Sequence, residues 1–318
     1  MNTRVIHGKV SVLQQRKSNS IWEQVLKYRY LYLMLLPAIV FYIIFYYFPI
    51  YGITLAFQDF SYKEGILGSP FVGLANFKGV FNDPDFWRVT ANTVVISFWK
   101  LVIGFPAPII TALLLNEISR ERTKRFFQTV FTFPHFVSWV VVSAMMFNLL
   151  SDSGVVNQLF VVLGLEKMNF LTNASTFRPM LYITDVWKDA GWNTIIYLAA
   201  VAGINSELYE ASDIDGANRW QRLIHITWPG IRSTAAILLI LAAGNVMNAG
   251  FDQILNLYNG AVMDKADIID TYVFRRSILL GSDWGSSTAI GLFKSVINFV
   301  LLFGVNGLIR VIGEEGIF

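Results

Sequence analysis

Six apolar runs of about 20 residues, each long enough to cross a hydrocarbon core, alternate with polar segments along the 318-residue chain. They lie near 31–57, 93–115, 128–150, 180–203, 232–257 and 290–309, and they predict six membrane-spanning helices. Pro37, Pro49, Pro106 and Pro108 fall inside these runs. Proline is tolerated in lipid where neighbouring helices re-satisfy the backbone groups it frees, so the pattern predicts a packed all-α membrane bundle. The predicted layout is a polar segment over 1–30, a transmembrane domain over 31–309 and a short tail over 310–318. Neither an internal repeat nor a low-complexity segment interrupts it.

Composition agrees with that pattern. Hydrophobic residues make up 54% of the chain and charged ones 15%, where a soluble domain has about a quarter charged. A net charge of +3 is too small to argue for nucleic acid, and without cysteine the chain has neither disulfides nor thiolate metal ligands. The first apolar run exceeds a signal-peptide core and reads as a retained anchor. With the N-terminus inside, the inner segments (1–30, 116–127, 204–234, 310–318) hold 14 Lys and Arg; the longer outer segments hold 8. This asymmetry places both termini in the cytoplasm.

Several spans carry polar groups, which are costly in lipid and usually face a bundle interior or an aqueous cavity. Asp185, Lys188, Asp189 and Trp192 in the fourth run follow i, i+3, i+4, i+7 and share one helical face. Asn245, Asn248 and Asp252 make a similar stripe in the fifth. Lys100 in the second run and Lys294 with Asn298 in the sixth add to them. Lys188 is expected about 10 Å inside the outer end of its span, with Lys100, Asp252 and Lys294 at similar depth. The arrangement suits an outward-opening cavity; the alternative is a set of interhelical ion pairs, such as Lys188 with Asp185. Trp192 offers an aromatic face to such a cavity, and Lys188 a cation.

Between the fourth and fifth runs lies "YEASDIDGANRWQRLIHITWPGI" (209–231), with five acid or base side chains. Its pattern predicts two short helices. Ser206 caps the first, with Glu207 and Glu210 in its early turns, and Gly216 stops it in a left-handed turn. The second runs from Asn218 to about Ile226, and Pro229 restarts the chain into the fifth span. On physics alone the stretch is either an amphipathic loop on the bilayer or a docking knob for a cytoplasmic partner.

The spacing Glu210-Ala211-Ser212, three residues, Gly216, nine residues, Ile226-Thr227-Trp228-Pro229 resembles the EAA loop of binding-protein-dependent ABC importer permeases. Ser212 and Trp228 stand where that pattern has alanine and leucine. "FVGLANFKGVFNDPDFWRVTANT" (71–93) is similar to the first external loop of carbohydrate-type permeases. "ADIIDTYVFRR" (266–276) is similar to the LplB-like subgroup, importers of polysaccharide fragments, aldouronates or alginate oligosaccharides. The resemblance implies a type I ABC importer permease in a bacterial cytoplasmic membrane. Its partners would be a second, similar permease, two ATP-binding subunits and an extracytoplasmic solute-binding protein. It also implies coupling through about 205–231, with Glu210, Ala211, Ser212, Asp215, Gly216, Ile226 and Pro229 at the ATPase. In the resembling sugar permeases, the positions that match Asp185, Lys188, Asp189 and Trp192 are sugar contacts; the family's fifth-span contacts match Ala243, Met247 and Gly250, which lack polar side chains. Asn245, Asn248, Asp252 and Lys294 complete the expected path.

The chain has no phosphate loop and no G-x-G-x-x-G, so ATP and Mg are expected on the partner subunits, with no cofactor in this chain. His7, His135 and His225 lie far apart and are expected at interfaces or in loops. Glu314-Glu315 and Asp213–Asp215 read as solvated pairs. The alternatives weighed are a permease for a neutral sugar or another small solute, an intramembrane enzyme, and an ion-driven secondary transporter.

Overall fold

The structure is a computed structural model that describes residues 26–281 and 283–318. Most of the expected polar N-terminal segment therefore lies outside the described residues. The chain divides into two compact units, residues 1–53 and 54–318. In the first, helix α1 (Arg29–Tyr42) passes into a π-helical turn at Ile43–Tyr47 and then into a 3-10 stretch from Phe48. The widened turn comes just before Pro49, whose ring would clash with the carbonyl four residues back in a regular helix.

In the second unit, α2 (Ala75–Phe81) precedes α3 (Pro84–Gly104) and α4 (Pro106–Asn116), which run on as one 33-residue span. Asp83 caps α3 by accepting from the Asp85 N–H at 2.9 Å, and Pro84 fills the first position, where no backbone donor is needed. Next come α5 (Glu121–Thr132), α6 (Trp139–Leu150) and α7 (Val155–Val162), then α8 (Ala174–Ala202). The 209–231 region forms α9 (Ser206–Ile214), α10 (Arg219–Arg222) and the start of α11 (Trp228–Gly244). Finally, α12 (Phe251–Leu257) and α13 (Ile269–Phe274) lead to α14 (Trp284–Val311).

Among the described residues, five stretches are long and apolar enough to cross a membrane: 29–57, 84–116, 139–162, 219–244 and 284–311. The sixth long helix, α8, has 29 residues, about 43 Å, but carries Arg178, Asp185, Lys188 and Asp189. Polarity, not length, separates it from the rest. Several helices also reach well beyond the apolar runs, because capped and amphipathic turns extend them past the hydrocarbon-like core.

Two spans expected to be continuous are broken. The third yields to a 3-10 turn at Phe133–Phe136 and extended backbone at Val137 and Ser138 before α6 begins. In the fifth, α11 stops at Gly244, a 3-10 turn covers Val246–Asn248, and Ala249 and Gly250 take positive φ of 48° and 85° before α12. A buried alanine at positive φ is strained backbone, which persists only where surrounding packing enforces it. Two apolar cores flank these breaks. One gathers Ile96, Val142, Phe177, Leu181, Ile254 and Leu257; the other, toward the 209–231 loop, gathers Ile109, Ala112, Tyr197, Val201, Ile231 and Ala235.

Candidate functional site: a mid-bundle cavity and an exposed loop

Between the two cores the second unit holds a partly open cavity of about 670 Å³, walled by α3, α4, α8, α11 and both helix breaks. Asp185, Asp189, Trp192, Asn245 and Asn248 line it together with Lys100 and His135. Asp189 lies about 22 Å along α8 from one helix end and about 20 Å from the other. The polar face is thus near mid-helix, deeper than the sequence suggested, since α8 starts at Ala174. Irregular backbone at such depth is tolerated where it lines a cavity, and that is where both breaks lie.

Long-range partners hold the charges of the wall. Lys100 Nζ lies 2.7 Å from Asp185 Oδ1 and also donates to Gln253 Oε1. The Gln253 amide then donates to the Leu181 carbonyl at 2.9 Å and the Thr184 hydroxyl at 2.8 Å, so one network ties the second, fourth and fifth spans. The fifth-span break makes room for it: a Cβ on Gly250 would stand 2.3 Å from Lys100 Nζ. On the other wall, His135 Nδ1 lies 2.7 Å from Asp189 Oδ1, and its ring stacks on Trp192. At Gly191 the backbone of α5 crosses α8 so closely that a Cβ would meet the Phe131 carbonyl oxygen at 2.0 Å.

Three expected path residues are elsewhere. Lys188 is buried, 6% exposed, and donates to the His135 carbonyl at 2.6 Å, with the Trp139 ring 5.7 Å away. It satisfies backbone freed by the third-span break and pairs with neither Asp185 nor a substrate-facing surface. Lys294 binds both oxygens of Asp270, at 2.7 and 2.8 Å, and does not line the cavity. Asp252 begins α12 as an exposed first-turn acid, where a negative charge complements the helix dipole, and is also off the wall. Asn298 accepts from the Met247 N–H at 3.2 Å and braces the fifth-span break. Conversely, the sequence reading put His135 at an interface or in a loop and left Gln253 out. The signal for His135 was the preceding Pro134, which breaks the third span there; Gln253 gave none beyond its polarity in an apolar run.

The loop is built from neighbours in sequence. Asn205, not Ser206, caps α9: its side chain accepts from the Glu207 N–H at 3.0 Å. Gly216 adopts φ +72° and ends that helix as expected. Asn218 and Gln221 form a reciprocal capping box at α10, and Arg222 pairs with Asp213. Beyond α10 the helix does not restart at Pro229. It continues through a π turn at Leu223–Thr227, which contains Ile226, into α11, the same accommodation seen before Pro49. Glu210, Ala211 and Asp215 are exposed, and Ser212 half-buried. Among the described residues the Glu210 carboxylate makes no hydrogen bond or ion pair, while Ile214 and Trp220 are 88% and 67% exposed. Arg219 reaches Glu117 at the end of α4 at 3.6 Å; Glu314, expected to be solvated, binds Arg232 at 2.6 Å.

Comparison with known proteins bears on both regions. The family described as "Binding-protein-dependent transport system inner membrane component" matches residues 104–312. The polygalacturonan/rhamnogalacturonan transport system permease protein YteP of Bacillus subtilis is 42% identical over 308 residues, 96% of each chain. Protein LplB of the same organism is 44% identical over 291 residues, 91% of each. Among solved structures, a bacterial alginate ABC transporter in complex with alginate pentasaccharide-bound periplasmic protein has a chain that superposes with a TM-score of 0.85 at 36% identity. The match covers 93% of this chain and 99% of that one. With the family match covering well over half of its length and these relatives covering nearly all of it, the chain belongs to the binding-protein-dependent transport system inner membrane components, the permease subunits of ABC importers.

Proposed function

We propose that this chain is one permease subunit of an ATP-driven oligosaccharide importer, in which the cavity passes the sugar and the 209–231 loop receives the force. The observation that carries the reading is the cavity beside the middle of α8, with polar walls at two helix breaks; a transporter's binding site near the bilayer midplane is usually built this way. The loop supports it from the other end: an acid with no partner among the described residues, on the same locally capped helices as exposed Ile214 and Trp220, is a surface suited to a protein partner. The partners are a second, similar permease, two ATP-binding subunits that carry ATP and Mg, and an extracytoplasmic binding protein. Both termini and the loop lie on the cytoplasmic side of the membrane. The chain transports without catalysis of its own, and ATPase closure moved through Glu210, Gly216 and the helix into α11 alternates the cavity's access. The relatives' names, including the "acidic polysaccharide alginate", favour an acidic oligosaccharide over a neutral sugar.

Purification of this chain with its partner subunits, followed by reconstitution in liposomes, tests the reading. The expected result is accumulation of an alginate or galacturonate oligosaccharide that requires both ATP and loaded binding protein. Uptake driven by an ion gradient without ATP, or hydrolysis of the sugar by the isolated chain, would sink it.

A further inference from the structure

The third-span break leaves a residue in the cavity to which the transport reading gives no part. The His135 ring lies parallel to the Trp192 indole, 4.6 Å between centroids and 5° between planes, and its Nδ1 holds Asp189 Oδ1 at 2.7 Å. Phe136 meets the same indole edge-on at 5.5 Å and 85°. Although two aromatic neighbours fix it, Trp192 remains 42% exposed in the cavity wall. The imidazole covers one indole face, and the exposed part of the ring belongs to the cavity wall. Asp189 is similar: Oδ1 is taken, and Oδ2 has no partner among the described residues.

We propose that His135 is a positioning residue for the sugar. It turns Trp192 and Asp189 so that together they take a single pyranose ring, its C–H face on the exposed indole and one hydroxyl donating to Asp189 Oδ2. The inference rests on the oligosaccharide reading above and deepens it by naming which part of the sugar this wall reads. The charges leave little choice. Asp185 and Asp189 are the acids of the wall, Lys100 is committed to Asp185 and Gln253, and Lys188 points into the bundle against the His135 carbonyl. A wall with its cation committed takes ring faces and hydroxyls, and it turns a uronate carboxylate away toward the rest of the path. Lys188 contributes indirectly, because it pins the backbone of His135 while the imidazole sets the neighbouring side chains.

The complete transporter, reconstituted with its partner permease, ATPase and loaded binding protein, provides the test. Sugar carried and ATP hydrolysed are measured with tri-galacturonate and with its carboxyl-reduced, uncharged counterpart. His135→Ala is expected to lower the sugar carried per ATP by about fivefold or more, the factor of a lost aromatic pair and hydrogen bond together. The loss is the same for both sugars, while ATP hydrolysis stimulated by loaded binding protein stays as in the unaltered chain. His135→Phe keeps the stack without the hydrogen bond, His135→Asn keeps the bond without the stack, and each restores part of the transport. In a Trp192→Ala background, His135→Ala has little further effect, because neighbours that act through each other are not additive. Unchanged sugar per ATP in His135→Ala overturns the proposal. So does a loss confined to the uronate, which would make His135 a cation for the carboxylate, or a fall of uptake and ATP hydrolysis in step, which would make it a folding residue. If the unaltered transporter carries neither sugar, the oligosaccharide reading fails first and the subsite with it.

Discussion

The cavity and the loop are both polar regions of a greasy chain, and they settle their charges in opposite ways. In the cavity the partners are far apart in sequence: Lys100 with Asp185 and Gln253, His135 with Asp189. Each contact needs two or three spans in place at once. In the loop most partners are neighbours: Asn205 with Glu207, Asn218 with Gln221, Arg222 with Asp213, with Arg219 to Glu117 the long-range exception. The loop helices therefore hold their shape on local capping, each cap contributing about 1 kcal/mol, and need little from the bundle. What they leave undone is informative. Among the described residues Glu210 has no partner, and two large apolar side chains of the same loop, Ile214 and Trp220, face outward. A region finished internally is a wall; a region that is rigid but unfinished is a surface for something else.

The largest expected effect breaks the comparison at Glu210. Glu210→Ala should leave expression and thermal unfolding unchanged, since among the described residues no hydrogen bond or ion pair is lost. Transport and substrate-stimulated ATP hydrolysis should fall together by at least about tenfold, because truncating one side of a buried interfacial charge pair costs about 2–5 kcal/mol. Normal transport with ATPase subunits still bound would remove the loop from the coupling path.

The same contrast explains what the sequence could disclose. The loop was legible because its determinants are short-range: the turn at Gly216 and the early acids of α9 are properties of adjacent residues. Even its errors were local, with the cap one residue earlier at Asn205 and a π turn smoothing the chain into α11. The spans were legible as apolar runs, and the stripe on α8 as a helical face. The sorting within that stripe was not. Asp185, Asp189 and Trp192 reach the cavity, but Lys188, between them, is drawn to the carbonyls that the break at Pro134 to Ser138 leaves open. Periodicity places a residue on a face; only the crossing helix decides whether that position meets water, a carboxylate or a backbone oxygen. Lys294 illustrates the same point, for its place in an apolar run is read from the sequence and its partner Asp270 is not.

Lys188 gives the second test, in which fold and transport should separate the other way. Lys188→Met removes the donor from the His135 carbonyl and leaves a buried acceptor unsatisfied, at a cost of about 1–3 kcal/mol. A lower yield of folded protein and a lower unfolding midpoint are expected, and surviving transporters should lose uptake of acidic and neutral sugars equally. Lys188→Gln retains a donor and should be milder. A loss restricted to acidic sugars, with stability intact, would instead return Lys188 to the substrate path.

A pair of glycines yields the smallest effects and the sharpest contrast. At Gly191 the limit is space: the helix is regular there, but an added Cβ would meet the Phe131 carbonyl oxygen at 2.0 Å and the Thr132 nitrogen at 2.8 Å. Alanine gains about 1 kcal/mol in helix propensity, yet overpacking against backbone costs about 1–3 kcal/mol, so the third and fourth spans must separate. Since His135 and Asp189 sit on those two spans, Gly191→Ala should reduce transport along with stability. Gly216 faces the reverse limit. Nothing lies within 4 Å of its added Cβ, but φ is +72°, where an L-residue costs about 1–2 kcal/mol. That strain stays within the loop, so Gly216→Ala should leave the unfolding of the bundle nearly unchanged and weaken only the association with the ATPase subunits. Gly216→Asn, which tolerates the left-handed region better, should recover much of that association, whereas no residue with a Cβ should rescue position 191. Thermal unfolding of the isolated chain and co-purification of the ATPase, measured on all three variants, check both halves; equal destabilisation by Gly191→Ala and Gly216→Ala would mean the loop is packed into the bundle after all.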